Sequence, residues 1–185
     1  MAQPFELAPA IAQTSEHLAD LTLCEARLQL DGRYPWIVLI PRRAGLTELE
    51  QLSAAERAVL MEEIVQAGEA VRAIASFSSP SSGSSSSSPS TSSRLTTSRS
   101  TSGTTISTPS PSCPWKPVEK LNVGCLGNVT SQLHVHVVGR RRDDPSWPSP
   151  VWGFGQPEPL TPETVAAARL AALPWLASPP RSSGA

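Results

Sequence analysis

The chain has 185 residues, with 15 Lys and Arg against 16 Asp and Glu, which leaves room for one domain with one core and little net field. That balance excludes electrostatic capture by a nucleic-acid backbone or an anionic membrane, so any bound phosphate has to be held by local groups. Cys24, Cys113 and Cys125 are odd in number, far apart and without a C-x-x-C pair; this excludes a disulfide framework and a zinc cage and fits reduced thiols in the cytoplasm. No run approaches the roughly 18 apolar residues of a membrane span.

In chain order, the first twenty residues are weakly patterned, with Glu6, Glu16 and Asp20 interrupting any apolar run. Leu23 to Leu30 reads as a strand, Asp31-Gly32 supplies turn chemistry, and Trp36 to Ile40 is a short apolar run ended by Pro41, so an antiparallel hairpin is expected. Ser53 with Glu56 three residues on has the pattern of a capping box. Leu60, Ile64, Ala67, Val71 and Ile74 then recur at spacings of four and three, predicting one long amphipathic helix. From Ser78 to about Ser112 the chain is mostly Ser, Thr and Pro, and so little apolar area cannot offset the entropy of ordering it. We read 78–112 as a disordered insertion within a single domain spanning 1–185: either a tolerated insertion or a stretch foreign to the mature product.

Beyond it, Lys120 to Cys125 and Gln132 to Val138 are strand-like and joined through Gly127-Asn128, predicting a second hairpin. Thr161-Pro162-Glu163 then opens an Ala-rich helix that can run to Pro174. Strands on both sides of a helix give an α+β fold with one mainly antiparallel sheet.

The chemistry concentrates in Gln132-Leu133-His134-Val135-His136-Val137-Val138-Gly139. Strand alternation puts Gln132, His134 and His136 on one face and Leu133, Val135 and Val137 on the other. Neutral imidazole is a nucleophile at phosphorus near neutral pH, and a neighbouring imidazole can donate to a phosphate oxygen or to the leaving group. The pair alone is equally compatible with a metal half-site, with two satisfied histidines in a half-buried strand, and with nucleotide binding without turnover. A metal site needs a third and usually a fourth ligand, and neither His17 nor any Cys or carboxylate stands at a supporting spacing.

The segment resembles the signature of the histidine triad (HIT) family, H-φ-H-φ-H-φ-φ with φ apolar; here it reads Q-φ-H-φ-H-φ-φ. The likeness extends to Trp36-Ile37-Val38-Leu39-Ile40-Pro41-Arg42-Arg43 and the helix after it. It is most similar to bacterial-type members across Arg33-Tyr34-Pro35-Trp36 and Asp144-Pro145-Ser146-Trp147-Pro148. The resemblance implies that His134 is the nucleophile and that His136 and Gln132 are its catalytic neighbours. It further implies that Asn122 and the Gly127 turn hold phosphate and that Asp31 meets the ribose.

The implied activity is that of a nucleotide hydrolase or nucleotidyl transferase, acting on substrates such as dinucleoside polyphosphates through a nucleotidyl-histidine intermediate. No metal or other cofactor is implied, and a homodimer is. Two departures stand out: Gln132 replaces the first histidine, and Trp36 stands on the facing strand where many members carry another. They keep open a binding module with little turnover, and a metal-dependent cupin-like enzyme remains as a further alternative. Arg140-Arg141-Arg142 is either a contact for distal phosphates or a solvated turn. Trp147 and Trp152 either cover the site or a dimer interface, or simply pack.

Overall fold

Val, Ile and Leu dominate two short runs, one on each side of the Ser-rich tract, and runs buried on both sides belong at the centre of a sheet. The computed structural model describes residues 4–77 and 113–177, and there these runs are β3 (Trp36–Pro41) and β5 (Val135–Arg140), buried along their whole length. With β1 (Ser15–Asp20), β2 (Cys24–Gln29) and β4 (Lys120–Gly124) they make a five-stranded sheet of order β1-β2-β3-β5-β4. Every neighbouring pair is antiparallel. The fold is α+β, as the pattern of runs predicts.

Both predicted hairpins are present, and Asp31 turns the first, its carbonyl accepting from the Tyr34 amide. The long helix, α2 (Ala54–Ile74), starts at the expected box: Ser53 Oγ accepts from the Glu56 amide, and the Glu56 carboxylate accepts from the Ser53 amide. It lies with α3 (Pro162–Leu176) on one face of the sheet, where Leu28, Ile37, Leu39, Val135 and Val137 meet Leu60, Val71, Ile74, Ala168 and Ala172. The opposite face carries Tyr34, Trp36, Val38, Ile40 and Val138. It is covered by Phe5 and Leu7, by Ile11 of the short helix α1 (Pro9–Thr14), and by Val151 and Trp152.

Three boundaries differ from expectation. The weakly patterned N-terminal segment holds β1, an edge strand whose only fully apolar anchor is Leu18; polar edges give little alternation to read. β5 begins at Val135, because its partner β3 ends at Pro41, which has no N–H for the ladder, and the paired register stops at Leu39 and Val135. α3 continues through Pro174, because Leu176 is buried in the core and Trp175 packs against it, a gain that offsets the lost helix bond.

The Ser-rich tract at 78–112 lies outside the described residues, but its two flanks meet: Cys113 Sγ lies 3.4 Å from the Ile74 carbonyl at the end of α2. A short connection therefore spans the gap. Lengthening a loop from about five to about forty residues is three doublings and costs about 2 kcal/mol. Deleting 78–112 is expected to leave a folded protein stabilised by about that amount, read as a higher urea midpoint at unchanged m-value; loss of the cooperative transition would mean that the tract is structural.

Candidate active site

His134 and His136 are both buried, at 7 % and 9 % exposure, on the sheet face away from α2 and α3. His136 stands opposite Val38 of β3 and Gly124 of β4, in the middle of the sheet. The two rings lie edge to face, with centroids 4.8 Å apart.

Their hydrogen bonds fix opposite tautomers. His134 Nδ1 is 2.6 Å from the Gln132 carbonyl oxygen, which can only accept; Nδ1 therefore carries the proton and the Nε2 lone pair is free. His136 Nδ1 is 3.1 Å from Trp36 Nε1, an indole nitrogen that can only donate; Nδ1 therefore accepts and the proton resides on Nε2. One imidazole thus offers a lone pair beside another that offers an N–H. Burial, and then the neighbouring His134, push His136 down from 6.5 to about 3, so it stays neutral throughout the physiological range.

Trp152 closes the far side of His136, with ring centroids 5.7 Å apart. It reaches that position because β4 has glycine at 124, where a Cβ would come within 2.6 Å of the indole. Gly127, the glycine singled out in the sequence, is different: a Cβ there meets nothing nearer than 3.8 Å, and its φ is not positive. Neither packing nor turn geometry calls for glycine at 127, and the residue is exposed.

The remaining expected site residues are dispersed. Asn122 lies on β4 opposite Val138, and its Oδ1 accepts from Arg140 Nη1 at 2.8 Å; that donor assigns the amide orientation and leaves the NH2 end as the one able to donate. The Gln132 side chain turns away from the histidines. Its Oε1 accepts from the Ala8 amide and its Nε2 donates to the Glu6 carbonyl, each at 2.8 Å, so the side chain clips the N-terminal segment while the backbone carbonyl orients His134. Asp31 is at the other end of the sheet, where its carboxylate accepts from the Arg33 amide and guanidinium and from the Glu158 amide. The structure brings His134, His136 and the Gln132 carbonyl together and leaves Asp31 apart. Among the described residues no three His, Cys, Asp or Glu side chains gather as a possible metal set, and no helix is long and apolar enough to cross a membrane.

The family model for the HIT domain matches residues 12–143. The chain belongs to the HIT family. Solved structures similar to this HIT protein are crystal structures of histidine triad proteins from three bacteria. The Sinorhizobium meliloti protein is 29 % identical with a TM-score of 0.67, covering 93 % of this chain and 97 % of its own. The Marinobacter aquaeolei protein is 26 % identical at a TM-score of 0.69, covering 95 % and 98 %, and the Bradyrhizobium japonicum protein is 26 % identical at 0.64, covering 92 % and 99 %. No curated protein matches.

Arg140 of this HIT protein departs from both readings that its sequence offers, and Trp147 and Trp152 divide between theirs. Arg140, the first of three consecutive arginines, is buried rather than solvated. It is 1 % exposed in its side chain and bonded to Asp144, Asn122, Ser146 and the Ser149 carbonyl. The Tyr34 and Trp147 rings lie within 6 Å of its guanidinium carbon. Trp152 joins the site through its contact with His136, while Trp147 belongs to the Arg140 cluster.

The depressed His136 value makes stability pH-dependent. The unfolded chain binds a proton near pH 6.5 that the folded protein takes up only near 3, so the contribution is complete above 6.5 and is lost as pH falls toward 3. Between pH 7 and pH 5 the wild type is expected to lose about 2 kcal/mol more than His136→Gln. Chemical denaturation at the two pH values checks this, and parallel losses in the two proteins would refute it.

Proposed function

We propose that this protein is a nucleotide hydrolase or nucleotidyl transferase in which His134 Nε2 attacks the phosphorus next to a nucleoside. The observation that carries the reading is the pair of opposite tautomers: a lone pair at His134 Nε2 beside an N–H at His136 Nε2. As the P–Nε2 bond forms, the bond from phosphorus to the leaving group breaks and its electron pair departs with that group. The His134 ring keeps its Nδ1 proton, and the positive charge that it gains is stabilised by the Gln132 carbonyl. His136 donates a hydrogen bond to the developing charge on phosphate or on the leaving oxygen. Water or another acceptor then attacks phosphorus, the P–N electrons return to the imidazole, and the surplus proton leaves to solvent. Asn122 and the Gly127 backbone would contact the phosphate. Asp31 would reach the ribose only after exchanging some of its bonds to Arg33.

Mixing enzyme with a dinucleoside polyphosphate, quenching in denaturant at alkaline pH and mapping peptides by mass spectrometry tests this. An acid-labile nucleotidyl group on His134 is expected, and tight nucleotide binding without an adduct would refute it. That second outcome belongs to a binding module with little turnover, a reading favoured by the burial of both imidazoles and by the packing of Trp152 on His136.

Two further parts of the reading concern its state in the cell. A homodimer is supported by the edge of β4, which pairs with no further strand among the described residues, and by the groove of about 260 Å³ beside it, lined by Leu49, Met61, Ile64 and Val123. Of these side chains, Met61 and Val123 are more than half exposed. Sedimentation is expected to give twice the chain mass for the wild type and the chain mass for Val123→Asp. The three free cysteines support a reducing, cytoplasmic setting.

A further inference from the structure

Trp36 stands on β3 opposite Val138, two residues along from the pair of Val38 with His136, so its long side chain reaches His136 on the diagonal. The indole is 7 % exposed and is wedged edge-on between Tyr34, at 6.5 Å, and Trp152, at 6.3 Å. Its Nε1–H is aimed at His136 Nδ1. An indole N–H donates but neither accepts nor titrates near neutral pH. A histidine at this place could pass a proton onward to His136; a tryptophan cannot.

We propose that Trp36 is a positioning residue that locks His136 as the neutral Nε2–H tautomer, making it a fixed hydrogen-bond donor and excluding it from any proton relay. The role in the reaction rests on the function proposed above; the tautomer does not. A consequence for the substrate follows from proton balance. A neutral imidazole N–H hydrogen-bonds to a leaving group but does not hand over its proton. Groups that depart as stable oxyanions with the P–O electron pair, such as the phosphates released from anhydrides, therefore leave readily. Amines, which need a proton as the P–N bond breaks, do not. The site is thus built for phosphoanhydrides over phosphoramidates of the same nucleoside.

Long-range 15N–1H correlation of the imidazoles, with His136 assigned through His136→Gln, reads the tautomer directly. In the wild type Nε2 is expected to be pyrrole-like and Nδ1 pyridine-like. In Trp36→Phe the His136 pattern is expected to become an average of both forms while that of His134 stays. kcat for the anhydride should then fall about two- to tenfold, in proportion to the lost tautomer population, with little change in KM. For the wild type, kcat/KM is expected to favour a dinucleoside polyphosphate over the matching phosphoramidate by about 10²-fold or more, the usual worth of a missing general acid. A pyrrole-like Nδ1 in the wild type, an unchanged tautomer in folded Trp36→Phe, or equal turnover of the amidate each overturns the proposal. Should Trp36→Phe fail to fold, the wild-type spectrum and the substrate ratio still decide it. If neither substrate reacts while the spectrum is as expected, the reaction fails and the tautomer lock stands.

Discussion

Replacing His134 by alanine is expected to eliminate the nucleotidyl adduct and to lower turnover by about 10⁴- to 10⁶-fold, the scale seen when a covalent nucleophile is removed. Nucleotide affinity should change far less, because in the proposed mechanism the donors to phosphate would be His136, Asn122 and the backbone near Gly127. His136→Gln is expected to cost about 10²- to 10³-fold, as for loss of one donor to developing charge. Single-turnover kinetics with calorimetric binding separates the two effects. Near-normal turnover in His134→Ala would refute the mechanism, and equal, complete losses in both variants would mean that the roles of the two histidines are wrongly divided.

The largest effect on stability is expected at the opposite end of β5. Burial pushes the Asp144 carboxyl up, but the Arg140 guanidinium with the Arg141 and Ser146 amides more than reverses this and leaves it below its ordinary value. The pair is almost wholly buried, with side-chain exposures of 1 % and 7 %. Asp144→Ala strands a guanidinium without its counter-charge, and breaking such a pair costs about 3–5 kcal/mol. Against a total stability of about 5–15 kcal/mol, that change brings the fold near its limit. Arg142→Ala, two residues from Arg140 but 85 % exposed, is expected to stay within about 0.5 kcal/mol of wild type. Urea denaturation of the two variants side by side is the check, and similar midpoints would show that the Arg140 cluster contributes little net stability.

Much of this arrangement was legible in the sequence because it depends on local signals. The runs at Trp36–Ile40 and Val135–Val138 declare central strands, and Ser53 with Glu56 declares a helix start. The alternation around His134 and His136 puts both rings on one face. What was hidden depends on contacts between distant residues. The Gln132 side chain finds its partners at Glu6 and Ala8, at the far end of the chain, and Trp36 meets His136 only through a cross-strand register that no local pattern states. Arg140 was misread for a related reason: three consecutive arginines resemble a solvated turn unless it is known that Asp144, Tyr34 and Trp147 fold over the first of them. At Asp31 the sequence places the acidic residue, but the engagement of its carboxylate by Arg33 is visible only in the structure.

The meeting of Ile74 and Cys113 bears on how such a chain can change over generations. Both belong to the layer where α2 packs on the sheet, while the histidine pair projects from the reverse side. Extra sequence admitted between them starts and ends in that helix-bearing layer, on the far side of the sheet from the histidine pair. Loop entropy grows only with the logarithm of length, so tolerance there is broad, whereas at Trp36 or Gly124 the addition of a single atom is felt by His136 or Trp152. The molecule thus offers one address for a peptide, an epitope or a whole guest domain, physically separate from the positions where chemistry restricts variation.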